Sequence, residues 1–343
     1  MKAKVNLAKY GVRIVVSILL LIGIISSAEA SRFVKIATIG GRPSFSFDKS
    51  RGSQHSVDQM IAFWKNRINQ VLPEKPDLIL LPEFCDIPAG LQPAEWREYL
   101  RVRNTQITDQ FSLIAKTNRC YIAFGTLLVD EEGNLRNSGV LLDRKGKVAG
   151  IYNKNFPTIG EIEDGIKPGD EAPVFECDFG RVAFAICFDL NFEELRKQYE
   201  IAKPDIILFP SNYHGGIMQD AWAYLCRSFF VACINGSGTL SEIRNPLGEV
   251  VASSTNYFDF AVATINLDSR VVHLGYNFGK LSALKKKYGN AVTIMDPGRL
   301  GPVLVSSESS GDNMDKLLRE FDIEWVDPYF NRSREKRAES LRR

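Results

Sequence analysis

Three apolar runs in this chain each end in a polar residue able to do chemistry. Asp77-Leu-Ile-Leu-Leu-Pro-Glu83 delivers a carboxylate, Ile151-Tyr-Asn-Lys154 an ammonium, and Val182-Ala-Phe-Ala-Ile-Cys187-Phe-Asp189 a thiol followed by an acid. Ligands of open α/β sheets collect beyond strand ends, so these three positions suit a shared pocket. A thiol, a carboxylate and an ammonium together can perform nucleophilic acyl transfer. The thiol is a potential nucleophile, and the charged groups are potential acids, bases or electrostatic partners. Taken singly, each residue has a plainer reading: a solvated loop glutamate, a surface lysine after a hairpin, a packed cysteine.

The elements that must position them can be read from periodicity. Phe33 to Ile39 reads as a strand, and Val57, Met60, Ile61, Trp64, Ile68 and Val71 recur at helical spacing behind a Ser56–Gln59 capping box. Asp77 to Leu81 is a short buried strand between prolines, 105–117 a helix and Cys120 to Val129 a strand, together a βαβ-like unit. Hairpins are expected over 138–143 with 147–152, and over 174–177 with 182–186. Helices over 192–201 and 218–227 alternate with strands over 205–209, 230–234 and 260–267. Hairpins mixed with crossovers predict a mixed sheet covered by helices. Beyond residue 270 the pattern weakens to a helix over 281–288 and a strand over 302–306. That divides the chain into 1–30, a domain over 31–270, and an extension over 271–343 that packs on the domain or on a partner subunit.

The first thirty residues read as an export signal. Lys2, Lys4, Lys9 and Arg13 precede the apolar run Ile14 to Ile25, and Ala28-Glu29-Ala30 is a small-x-small cleavage site ahead of Ser31. The run is short for a membrane span, so a periplasmic or secreted protein with no stable span after cleavage is expected over an uncleaved anchor. Without that segment, 39 basic and 40 acidic residues leave a charge near −1, which offers no field for nucleic acid. Six cysteines without a CxxC and only three histidines argue against a zinc cluster. Export permits disulfides whose pairing the sequence leaves open, but a nucleophilic Cys187 must stay unpaired.

The segments Leu81-Pro-Glu83-Phe, Tyr152-Asn-Lys154 and Ile186-Cys187-Phe-Asp189 resemble, in order, the three signature segments of the nitrilase-like carbon–nitrogen hydrolase superfamily. Pro204 to Ser211 and Asn245-Pro-Leu-Gly-Glu249 resemble its later segments, so the likeness spans Phe33 to Leu267. It implies an α/β fold, a four-layer αββα sandwich with mixed sheets. It implies an amidase-like enzyme that cleaves a non-peptide carbon–nitrogen bond of a carboxamide or carbamoyl substrate through a cysteine thioester. Glu83 would be the base, Lys154 and the N–H after Cys187 would hold the oxyanion, and Glu161 would orient Lys154 or the substrate. It implies no cofactor and no metal, and pairing into a homodimer or larger homo-oligomer. Phe188 and Asp189 favour amide over nitrile hydrolysis, since true nitrilases carry Cys-Trp-Glu; nitrile hydrolysis and acyl transfer to an amine are the alternatives. The family's Cys-Tyr-Asp-Leu-Arg ends here in Asn191. Tyr213 and His214 either line the substrate pocket or belong to an ordinary loop, and Cys187 with His214 offers a competing papain-like pair.

Overall fold

A computed structural model of the protein describes residues 33–342 except 237 and 310; the expected export signal and its cleavage site lie outside these residues. The first half of the domain supplies β1 (Phe33–Ile39), α1 (Gly52–Val71), β2 (Leu78–Leu80), α2 (Trp96–Arg103), α3 (Gln106–Asn118), β3 (Tyr121–Val129), β4 (Leu135–Leu142), β5 (Val148–Asn153) and the short α4 (Ile159–Glu163). The second supplies β6 (Val174–Cys177), β7 (Gly180–Phe184), α5 (Glu193–Ala202), β8 (Ile206–Ser211), α6 (Ile217–Cys226), β9 (Phe229–Ile234), β10 (Glu242–Arg244), β11 (Val250–Ser253) and β12 (Phe260–Asn266).

The strands form two six-stranded mixed sheets, ordered β12-β1-β2-β3-β4-β5 and β11-β10-β9-β8-β7-β6. They pack face to face between helices, which gives the expected αββα layers. Period-two alternation builds this sandwich. Val34 and Ile36 of β1 and Leu78 and Leu80 of β2 share the inter-sheet core with Val182, Phe184 and Leu208. The alternate residues Ala37, Ile39, Ile79 and Leu81 meet Met60, Trp64 and Ile68 of α1 in the outer core. On the far side α5 and α6 send Leu195, Tyr199, Trp222 and Ala223 onto the second sheet. Central strands buried on both faces read as unbroken apolar runs, which is why β2 and β8 were legible.

Read from β12 and from β6, the two sheets share one succession of pairings: antiparallel, parallel, parallel, antiparallel, antiparallel. The chain is thus a structural repeat that the sequence does not display, because burial constrains residue class and not identity. The first helix also differs from expectation. It starts at Gly52, its N-cap Arg51 makes no side-chain cap, and Ser56 is buried inside it. Ser56 lies on the same helical stripe as Met60, so its side chain turns into the core and no capping box forms.

The chain beyond β12 is more regular than expected. β13 (Ser269–His273), α7 (Phe278–Tyr288), β14 (Val292–Met295), β15 (Pro302–Ser307), α8 (Met314–Glu320) and α9 (Val326–Leu341) build a unit around a third sheet, ordered β13-β15-β14. Its own core is formed by Val272, Leu281, Leu284, Val303, Val305, Met314 and Leu317. It is pinned to the second sheet's layer by Asp327, which pairs with Lys203 at 2.6 Å and Arg227 at 3.1 Å. Among the described residues no helix is long and apolar enough to cross a membrane.

Candidate active site

Glu83, Lys154 and Cys187 come together just beyond the carboxyl ends of β2, β5 and β7. β2 runs into Pro82 and Glu83, and the next residue, Phe84, turns with φ 51°. β7 runs into Cys187, which itself has φ 48° at the start of a short 3₁₀ turn over Cys187–Asn191. Left-handed non-glycine residues are costly and are held only by their surroundings, and here two of them aim the carboxylate and the thiol. Neighbouring β3 must come very close to make room. A Cβ at Gly125 would lie 2.5 Å from the Glu83 Cα, so only glycine fits there.

The Glu83 and Lys154 side chains are each 1% exposed, and burial of both charges is offset by direct pairing. Lys154 Nζ donates to Glu83 Oε1 at 2.9 Å and to Glu161 Oε2 and Oε1 at 2.8 and 3.1 Å. Burial works against the ammonium, but Glu83, Cys187 and Glu161 outweigh it and hold the lysine charged. Glu161 behaves likewise: burial opposes its ionisation, but the Lys154 charge and the hydrogen bonds it accepts keep it below the usual carboxylate range. A capping box fixes Glu161, with Thr158 N donating to Glu161 Oε2 at 2.7 Å and Glu161 N donating to Thr158 Oγ1 at 3.2 Å.

Burial, and then the Glu83 charge, push the Cys187 thiol up to about 12. The Lys154 ammonium, the Asn212 N–H and the Ser211 hydroxyl pull the other way. Cys187 is therefore a neutral thiol at rest beside the Glu83 carboxylate, and all six cysteines are unpaired. Asp189 lies in the same short turn as Cys187 and is fully buried. Its Oδ2 accepts from Tyr152 Oη at 2.7 Å and from Ile186 N at 2.8 Å, and its Oδ1 accepts from Phe156 N at 2.8 Å. One carboxylate thus ties the residue before Cys187 to the loop after Lys154. Burial raises it to about 6 against those hydrogen bonds.

Phe188 meets Phe192 edge-on at 5.2 Å, and Phe192 stacks on Phe156 at 4.0 Å, so aromatic rings line the gap between the cysteine and lysine loops. Tyr213 follows β8, and its hydroxyl accepts from Asn191 at 3.1 Å. Burial and Cys187 push the phenol up to about 12, which places Tyr213 within the electrostatic reach of the thiol. His214 faces elsewhere. Its Nε2 meets Glu242 Oε2 at 3.1 Å and its Nδ1 accepts from Gly216 N at 3.1 Å. Its partners are those of a loop histidine, and the papain-like pairing with Cys187 has no support in them.

Three asparagines escaped the sequence reading. Asn137 Nδ2 donates to both Glu83 Oε1 and Glu161 Oε1 at 2.7 Å, clamping the two acids around the lysine. Asn212 donates to Glu83 Oε2 through N at 3.1 Å and Nδ2 at 2.6 Å. Asn235 holds the Glu83 carbonyl at 3.3 Å. Asn212 and Asn235 each follow an apolar strand, the same signal that singled out Glu83 and Cys187, whereas Asn137 sits inside β4 and carries none. Among the described residues no group of three or more His, Cys, Asp and Glu is arranged to hold a metal.

Several known proteins are similar to this chain. The omega-amidase NIT2 of Xenopus tropicalis is 25% identical over 228 residues, covering 59% of this chain and 80% of that one. The structure of Saccharomyces cerevisiae Nit3, a member of branch 10 of the nitrilase superfamily, matches with a TM-score of 0.58 at 14% identity, over 78% of this chain and 97% of that one. A glutamate-to-glutamine variant of the amidase from Nesterenkonia sp. AN1 matches with a TM-score of 0.58 at 16% identity, over 68% and 90% of the two chains. In that structure the acetamide moiety of fluoroacetamide is covalently added at the active-site cysteine. The family model of carbon-nitrogen hydrolases matches residues 35–272, so this chain belongs to the carbon–nitrogen hydrolase family and is an enzyme of that family.

Proposed function

We propose that the enzyme hydrolyses a carboxamide through a thioester on Cys187. The observation that carries this reading is the buried Glu83–Lys154–Glu161 cluster beside a neutral thiol. A thiol held up to about 12 needs a base at the moment of attack, and Glu83 is the carboxylate whose charge it feels. Glu83 takes the Cys187 proton as sulfur bonds to the carbonyl carbon. The carbonyl oxygen becomes an oxyanion, stabilised by the Lys154 ammonium and the Phe188 N–H. When the intermediate collapses, the carbon–nitrogen bond breaks and Glu83 returns its proton to the departing ammonia. Glu83 then takes a proton from water as it attacks the thioester, and the thiolate leaves and is reprotonated as the acid is released. Asn137 and Asn212 keep Glu83 in place through both halves.

The amidases among the similar proteins support an amide over a nitrile substrate. The test is mass spectrometry of the intact protein and of Glu83→Gln with short amides, ureido compounds and nitriles. An acyl adduct on Cys187, with ammonia released by the native enzyme, is the expected result. Ammonia release that survives Cys187→Ala would refute the mechanism, and capture of the acyl group by added amines would redirect it to acyl transfer. Export belongs to the same reading, and a mature chain recovered outside the cytoplasm should begin at Ser31. Assembly into a homodimer is tested by light scattering of the mature chain.

A further inference from the structure

We infer that Tyr213 is a further catalytic residue, whose hydroxyl donates to the carbonyl oxygen of the amide as that oxygen becomes an oxyanion. The assignment rests on the amide-hydrolase reading above. Two tethers bring Tyr213 to the reaction centre. Its backbone follows Ser211 and Asn212 at the end of β8, and Asn212 holds Glu83 Oε2 through N and Nδ2. Ser211 fixes that loop, its Oγ donating to Tyr213 O at 2.7 Å and accepting from Tyr213 N at 3.0 Å. The ring packs edge-on against Phe209 at 6.1 Å. Its hydroxyl meets Asn191, the last residue of the turn that Cys187 begins. Tyr213 thus spans from the loop that holds Glu83 to the turn that carries the thiol.

The hydrogen bonds leave one proton over. Tyr213 Oη accepts from Asn191 Nδ2 at 3.1 Å, and the hydroxyl's own proton has no acceptor among the described residues. Asn191 Nδ2 also donates to Phe188 O at 3.0 Å. One amide nitrogen therefore fixes both the Tyr213 hydroxyl and the residue whose N–H stabilises the oxyanion in the proposed mechanism. Only two hydrogen bonds and a single residue separate those two donors. A phenol that accepts from an amide is polarised into a better donor, because charge drawn from its oxygen loosens the remaining proton. Tyr213 is half-buried, so a substrate can reach the hydroxyl although it is not a solvated surface group. Burial and the Cys187 charge keep the phenol protonated, and Lys154 and Glu83 act on it as well. A neutral donor placed there offers little to an uncharged carbonyl and more to an oxyanion, since a hydrogen bond to a charged acceptor is the stronger one. Its contribution is thus concentrated in the transition state.

Tyr213→Phe removes one oxygen and keeps the ring, and the full chain is compared with it in three assays. On the amides and ureido compounds named above, kcat and kcat/KM should fall together by about a hundredfold with KM unchanged, as for a donor engaged only in the transition state. Alkylation of Cys187 by iodomethane forms no oxyanion, so its rate should not change. A loss there equal to the loss in turnover would mean that the thiol has moved, and overturns the assignment. Full activity also overturns it, because the hydroxyl would then face only solvent, and so does a change confined to KM. Butanal gives a readout that does not depend on turnover. Cys187 sulfur bonds to its carbonyl carbon, the thiol proton passes to the carbonyl oxygen, and the hemithioacetal sets that oxygen where the oxyanion would stand. Tyr213→Phe should bind butanal about five- to tenfold more weakly, the range of one neutral hydrogen bond, and equal affinity overturns the assignment. If the native enzyme turns over none of the compounds, the hydrolase reading fails and butanal affinity alone judges Tyr213.

Discussion

Replacing Asp189 with Asn separates the cost of a buried charge from the value of the geometry it holds. Asp189 has its carboxyl raised from 3.8 to about 6. At neutral pH the ionised group therefore costs the fold about 3 kcal/mol, at 1.36 kcal/mol for each pKa unit. Asn removes that cost. It also replaces one carboxylate oxygen by an NH₂ group, so either the Phe156 N–H or the Tyr152–Ile186 pair loses its acceptor. The lost charged hydrogen bond is worth about 1.5–3 kcal/mol, and the two effects nearly cancel. At pH 8 the variant should thus unfold in urea within about 2 kcal/mol of the native protein.

The sign of the pH dependence follows from the raised value. The folded state binds the Asp189 proton more tightly than the unfolded chain, so this group adds stability as pH falls through 6 toward 4. Between pH 8 and pH 5 the native protein should gain about 1.4 kcal/mol relative to the variant, which cannot titrate there. Activity should not be spared. The donor left facing the NH₂ group lies next to Cys187 or in the Lys154 loop, and a displacement of about 1 Å at a reacting group costs on the order of a hundredfold in kcat/KM. Urea titrations followed by tryptophan fluorescence at the two pH values, with amide turnover, check both halves. A difference in stability that does not change with pH, or a fully active variant, would refute the reasoning.

Lys154→Met should remove amide turnover and cost about 3–5 kcal/mol of stability, since it leaves Glu83 and Glu161 buried together without their cation. Equilibrium unfolding measures this, and a stable Met variant would mean that one acid takes up a proton once the cation is removed. Gly125→Ala brings a methyl group to 2.5 Å from the Glu83 Cα and should destabilise by about 1–3 kcal/mol. The chain must move at Glu83, the base of the proposed mechanism, so the same variant should lose more in kcat/KM than in stability, as paired melts and kinetics would show.

The sequence by itself determined the family and the order of its signature segments. Glu83, Lys154 and Cys187 stand out because a charged or nucleophilic residue ending a buried strand is anomalous against the apolar run before it. The alternation in Phe33 to Ile39 and the unbroken apolar run at Leu78 to Leu81 established strands covered on one or both faces. Four basic residues, the 12 apolar residues at Ile14 to Ile25 and Ala28-Glu29-Ala30 together raised the expectation of export. Tertiary structure decided what local pattern cannot encode. The β12 strand returns across more than two hundred residues to pair with β1, which completes the first sheet and reveals the repeat. Asn137 became a clamp only when β4 was laid beside Glu83 and Glu161, because an asparagine in a strand has no signature until its partners arrive. His214 was separated from Cys187 for the corresponding reason: Glu242, brought in by β10, sits within hydrogen-bonding distance of it. Even the opening trio depended on the fold for its surroundings, since burial at the strand ends and the nearby Glu83 charge are what push the Cys187 thiol up.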